Sequence, residues 1–235
     1  MNVVAIVPAT LEPDGNGTHA LTKARGEPLL GYVLDRLERV GKLSRIVVTT
    51  TDDPAEEALI DYCTARETIC LKGPRDDLLG RVLKVLTSTG AKGGVMVDAC
   101  SPLIDPAIVD HVVNLLQMTD GMLDWVGNTH SPATYPQGME IDGFTTAAIT
   151  ESDKRCDDPK QRRQGPAFLR QNSRLYRLLA VSAPKELERP RVNLKVNGPD
   201  DLPRIESVLA HFGARTDYSL ADILAFVDAQ PAAAS

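Results

Sequence analysis

Cysteine is scarce in this chain, basic charge is in the minority, and no apolar run is long. The 235 residues include four cysteines, Cys63, Cys70, Cys100 and Cys156. None forms a C-x-x-C pair, and no Cys/His group has zinc-ligand spacing, which speaks against a zinc site. A reducing, cytoplasmic setting is the expectation. Lys and Arg total 26 against 32 Asp and Glu, a net charge of −6. A general nucleic-acid binder would carry a basic excess, so no nucleic-acid partner is expected. A small anionic ligand stays open, because local cations can outweigh global charge. No apolar stretch approaches the ~20 residues of a membrane span. The N-terminal run Val3 to Val7 is too short for a signal-peptide core and lacks a preceding basic region. Internal repeats and low-complexity segments are missing too. What is present is 43% hydrophobic and 25% charged, ordinary globular values with enough chain to bury a sizeable core.

Short apolar runs alternate with amphipathic segments. Val3–Val7 reads as a buried parallel strand, and Pro28 opens a helix to Val40 on Leu29, Leu30, Val33, Leu34 and Leu37. Strands at 45–50, 68–71 and 94–97 alternate with helices at about 53–65, 78–86 and 106–116. That rhythm predicts an α/β fold, a mostly parallel sheet with helices on both faces. It breaks after residue 120. Residues 128–172, rich in proline and charge, read as a protruding arm. Strands at 178–181 and 192–196, then helices at 199–212 and 220–228, follow. One domain over residues 1–230 and a disordered tail at 231–235 are expected.

Two segments suggest chemistry. Val95 to Val97 stops at Asp98, and Pro102 with Asp105–Pro106 opens a new helix. Ligands of open α/β sheets bind beyond the carboxyl ends of strands. If the strand continues, Asp98 and Cys100 share one side of it. The other segment, Gly15-Asn16-Gly17-Thr18-His19-Ala20, matches G-x-G-x-x-A. It reads as a dinucleotide fingerprint, as a surface turn, or as another kind of phosphate loop with Lys23 and Arg25 behind it.

Several segments, in order, resemble the sugar-acid cytidylyltransferases. The spore-coat polysaccharide type is nearest, with the CMP-Kdo and acylneuraminate synthetases further off. The resemblance rests on Arg25-Gly26-Glu27-Pro28-Leu29-Leu30, on Thr49-Thr50-Thr51-Asp52-Asp53 and on Asp76-Asp77-Leu78-Leu79-Gly80-Arg81. Pro102-Leu103-Ile104-Asp105, Thr134-Tyr135-Pro136-Gln137-Gly138 and Val196-Asn197-Gly198-Pro199-Asp200-Asp201-Leu202 extend it.

The resemblance implies a Rossmann-like nucleotide-diphospho-sugar transferase sheet, a homodimer, and transfer of CMP from CTP to a small anionic sugar with release of pyrophosphate. It implies Mg²⁺ held by carboxylates. Ala9, Gly17, Lys23, Arg25, Asp77 and Arg81 would then contact the nucleotide. Tyr135, Gln137, Arg162 and Arg163 would contact the sugar, and Lys23 and Asp98 would act in catalysis. The sequence also departs from the family: Cys100 and Asn197 stand where the metal carboxylates are expected, which leaves Asp98 as the candidate ligand. A non-catalytic homologue that binds a nucleotide, a sugar or a protein partner is the competing reading. A thiol enzyme built on Cys100 is a third, without a histidine placed as its base.

Overall fold

A computed structural model describes residues 1–11 and 19–230. The expected glycine-rich loop through Gly17 and the tail at 231–235 lie outside the described residues.

The chain opens with β1 (Val3–Pro8), a two-residue pairing of β2 (Lys23–Ala24) with β3 (Glu27–Pro28), and α1 (Leu29–Leu37). Then come β4 (Arg45–Thr51), α2 (Glu57–Ala65), β5 (Ile69–Gly73), α3 (Leu78–Thr89), β6 (Gly93–Met96) and α4 (Pro106–Thr119). The second half holds β7 (Trp125–Gly127), β8 (Asp142–Thr145), α5 (Thr146–Arg155), α6 (Pro159–Arg162) and α7 (Ala167–Gln171). It ends with β9 (Leu178–Ala180), α8 (Leu202–Phe212) and α9 (Leu220–Asp228).

Seven strands form one sheet in the order β5-β4-β1-β6-β8-β7-β9. The pairs β5–β4, β4–β1, β1–β6 and β7–β9 are parallel, and β8 runs antiparallel to both neighbours. The mostly parallel sheet read from the sequence is therefore present. β1 shows why its residues are uniformly apolar. Val3, Ala5 and Val7 belong to the core shared with Leu30, Val33 and Leu34 of α1 and with α4, α8 and α9. Val4 and Ile6 point the other way, into the core of Leu79, Val82, Val85 and Leu86 from α3. A strand covered on both faces has no polar side to show.

The structure corrects three expectations. Residues 128–172 are not simply an excursion, because they supply β8, inserted between β6 and β7, and α5, packed on α3. The alternation of the first half hides this, since a four-residue antiparallel strand containing Gly143 carries little apolar signal. Residues 192–196 form no ladder. Leu194 N–H donates to Gln137 O and Val196 N–H to Cys100 O, so the segment changes partner within three residues. Finally, β6 ends at Met96. Asp98 and Cys100 lie in the turn beyond it, where the Asp98 Oδ1 accepts the Cys100 N–H at 2.7 Å.

One glycine is fixed by both conformation and space. Gly138 has φ +92°, and an added Cβ would stand 2.8 Å from the Leu194 carbonyl carbon and oxygen and 3.0 Å from Lys195 N. The Thr134–Gly138 segment thus packs directly on the backbone that carries Lys195. Gly138→Ala is expected to cost roughly 1–3 kcal/mol, from positive-φ strain plus backbone overpacking. Urea unfolding of the variant measures it.

Candidate functional site

The order of connections locates the crevice. From β1 the chain steps outward to β4 and β5, then returns over the sheet through α3 to β6 on the other side of β1. The crevice where the winding reverses lies at the carboxyl ends of β1 and β6, the place where such sheets bind ligands. A cleft of about 330 Å³ is found there, lined by Pro8, Ala9, Thr10, His19, Asp98, Cys100 and Arg163 among others. A second lobe of about 390 Å³ shares Thr10 and Arg163 with it and adds Thr51, Glu56, Arg75 and Arg81. A larger concavity between Lys92 and Arg177 opens at the opposite ends of β6 and β8, away from the switch point.

Arg81 is the most informative side chain of the second lobe. It sits one turn into α3, with its N–H bonded to the Asp77 carbonyl. The residue is 6% exposed, yet its Nε and Nη1 find no hydrogen-bond partner among the described residues. Burial pulls its pKa below the usual guanidinium value, against the opposing fields of Glu56, Asp77 and Asp52. Nearby Glu56 is a buried carboxylate that accepts the Leu11 N–H at 2.9 Å. A buried guanidinium with free donors is costly unless a ligand completes it.

Arg81 is left open because Asp77 is taken. Asp77 and Arg81, four residues apart at the start of α3, do not pair through their side chains. Asp77 caps α3 through Gly80 N–H at 2.9 Å and meets the Arg162 fork, Nε to Oδ1 at 2.9 Å and Nη2 to Oδ2 at 2.8 Å. Arg162 also donates to Asp153 Oδ1 and to the carbonyls of Asp153 and Cys156. Its whole fork is engaged in tying α6 to α3, which argues against the sugar contact expected of it. Burial would raise the Asp77 pKa, but the bonds from Arg162 and Gly80 outweigh that and hold it below the ordinary value. A depressed folded-state pKa gives stability that is full above about pH 4 and is lost as the pH falls through the folded value. Asp77→Asn is expected to cost roughly 1.5–3 kcal/mol at neutral pH and to flatten the acid limb of the stability curve. Urea titrations at a series of pH values show whether both occur.

At the first lobe, Asp98 is held on both oxygens. Oδ1 takes the Cys100 amide, and Oδ2 takes the Lys195 ammonium at 2.6 Å. Burial works against that ammonium, but Asp98 beside it prevails and keeps the Lys195 pKa above the ordinary lysine value. Mg²⁺ asks for several hard oxygen donors in octahedral array. Here a lysine occupies one carboxylate oxygen and a thiol stands at Cys100. Asn197 spends its N–H on Asp201 Oδ2 at 2.8 Å. Among the described residues no group of three His, Cys, Asp or Glu side chains could hold a metal. As they stand, with Lys195 on Asp98 and an amide at Asn197, the described residues do not fit Mg²⁺.

The other expected residues scatter. Ala9 and Arg163 line the cleft, and Arg163 Nε also meets Asp76 Oδ1 at 2.9 Å. Lys23 and Arg25 lie on the exposed β2–β3 turn, where Arg25 N–H bonds Glu206 of α8. Neither is among the described residues that line the cleft. Tyr135 is a core residue, and Gln137 is exposed on the bridge to Asn193. Lys195 is absent from the sequence-derived set. Its signal is an offset: Asp98 precedes Cys100 by two residues, and Lys195 precedes Asn197 by two. The Val196–Cys100 backbone bond sets the two displaced residues side by side.

Comparisons with known proteins bear on the fold and the family. The cytidylyltransferase family profile matches residues 4–142. The chain is 31% identical over 115 residues to a 3-deoxy-manno-octulosonate cytidylyltransferase of Geobacter sulfurreducens, covering 48% of this chain and 44% of that protein. It is 21% identical over 193 residues to the spore coat polysaccharide biosynthesis protein SpsF of Bacillus subtilis, 81% of this chain and 77% of that protein. The solved structure of a cytidylyltransferase from Leptospira borgpetersenii superposes with a TM-score of 0.86 at 19% identity, covering 97% of this chain and 93% of that one. That likeness establishes the fold, and the profile match, spanning more than half of the sequence, establishes the lineage: the chain belongs to the cytidylyltransferase family of nucleotidyltransferases.

Proposed function

We propose that the chain transfers CMP from CTP to a small anionic sugar. A sugar oxygen attacks the α-phosphorus, the bond to the bridging oxygen breaks, pyrophosphate leaves and the sugar proton passes to solvent. The observation that carries this reading is Arg81, a buried guanidinium in the switch-point cleft whose Nε and Nη1 have no partner among the described residues. The cytosine edge offers two adjacent acceptors and an amino donor. Arg81 suits the acceptors, and the Glu56 carboxylate, with lone pairs to spare, suits the amine. Uracil presents an N–H where cytosine presents an acceptor, so it meets Arg81 wrongly. The base then lies in the Arg81 lobe, and the phosphates run past Thr10 toward Asp98 and Lys195. Arg163, on the shared wall, is placed for an anionic group of either reactant. Catalysis of this kind is mostly positioning and charge stabilisation, which fixed cations supply.

A homodimer, a cytoplasmic location and a single domain over 1–230 belong to the same proposal. The second reading, a homologue that binds nucleotide without turnover, is favoured by one observation: Cys100 and Asn197 replace the expected carboxylates. Calorimetric titration tests the shared part. CTP is expected to bind one per chain and at least about tenfold tighter than UTP. Absence of CTP binding overturns the proposal.

A further inference from the structure

Asp98 and Lys195 meet across two loops that the chain separates by 97 positions. Three contacts bring them together. Val196 N–H bonds Cys100 O, which lays the 195–197 segment beside the turn after β6. Gly138 packs on the Leu194–Lys195 backbone from the other side, and its own N–H is held by Glu140 Oε2 at 2.7 Å. Asp98 Oδ1 caps the turn through Cys100 N–H, so its carboxylate has one orientation, with Oδ2 toward the ammonium. The Lys195 side chain is 27% exposed, and it reaches the cleft through Asp98, which lines it. The two residues expected to carry a divalent cation are thus a thiol and an amide. The residues two places upstream of them are a carboxylate and a cation already bonded to each other.

Resting on the CTP reading above, we infer that the Lys195 ammonium, fixed by Asp98, supplies the positive charge that a divalent cation would bring to the phosphates, so that nucleotide binding at this cleft does not depend on added metal. Asp98 is then a positioning residue for Lys195, not a ligand. An ammonium has three donors and accepts several geometries, which suits phosphate oxygens approaching past Asp98. Its charge is half that of Mg²⁺ and is shared with Asp98, and Arg163, which lines the cleft, is shared with Asp76.

The experiment is calorimetric titration of CTP into the full chain in excess EDTA and in excess MgCl₂. The wild type is expected to bind in both, with affinities within about fivefold of each other. Lys195→Met is expected to lose more than about tenfold in EDTA. Its freed Asp98 should make binding newly responsive to Mg²⁺, whereas Lys195→Arg should stay close to wild type without metal. Melting curves of each variant report folding. If Lys195→Met does not fold, the wild-type comparison and Lys195→Arg still decide. Wild-type binding more than about fivefold tighter with Mg²⁺, or Lys195→Met binding normally in EDTA, overturns the inference and leaves the CTP reading standing. No CTP binding in either buffer overturns both.

Discussion

Arg81→Met is expected to weaken CTP binding by roughly 30- to 150-fold while leaving the ligand-free protein as stable as the wild type or more so. Hydrogen bonds to a charged partner contribute about 1.5–3 kcal/mol each, and losing one or two imperfectly replaced by water gives about 2–3 kcal/mol overall. The stability half of the result follows from the same geometry. Nε and Nη1 are buried without partners among the described residues, so the folded, empty protein carries a desolvation cost that these residues leave uncompensated. Methionine fills similar volume and removes that cost. Calorimetry with CTP and a melting curve without it measure the two halves. A purely structural Arg81 would give the reverse pattern, a lowered melting temperature with CTP binding intact.

Arg36→Ala is expected to destabilise the fold by roughly 3–5 kcal/mol, the cost of leaving a buried charged network without its centre. In a chain of this length that lowers the melting temperature by roughly 6–20 °C. Arg36 is 1% exposed on α1. Its guanidinium donates to the carbonyls of Ile104, Thr216 and Tyr218 and lies 4.1 Å from the centre of the Tyr218 ring. Removing it leaves buried carbonyls unpaired on two segments distant in sequence. Lysine cannot restore the fork, so Arg36→Lys is expected to recover little. The site feels this too. Ile104 belongs to the turn after β6, which Asp105 anchors at its far end by capping α4 through Ala107 N–H and by accepting Leu220 N–H from α9. Differential scanning calorimetry of both variants checks the prediction.

The parallel half of the sheet was legible because each strand is buried on both faces and therefore uniformly apolar. β8 was not, since Asp142-Gly143-Phe144-Thr145 owes its place to an antiparallel partner on either side and not to its own composition. Among site residues, Arg81 was legible from its motif, but its state was not. Asp77, which could have met Arg81 from four residues away, is taken by a bidentate contact from Arg162, 85 positions away. Asp98 was legible as the residue where an apolar strand gives way to a turn, whereas its partner was hidden, because no local pattern joins it to Lys195. Long-range pairing of charges is set by loop packing, and sequence spacing records only what lies on one element.

The most direct measurement is pyrophosphate release from CTP in the presence of a panel of small anionic sugars. The account predicts release that requires both reactants, matches CMP-sugar formed mole for mole, and persists in EDTA. CTP bound at the cleft with no pyrophosphate released from any such acceptor would contradict it and make the chain a nucleotide-binding homologue without transfer.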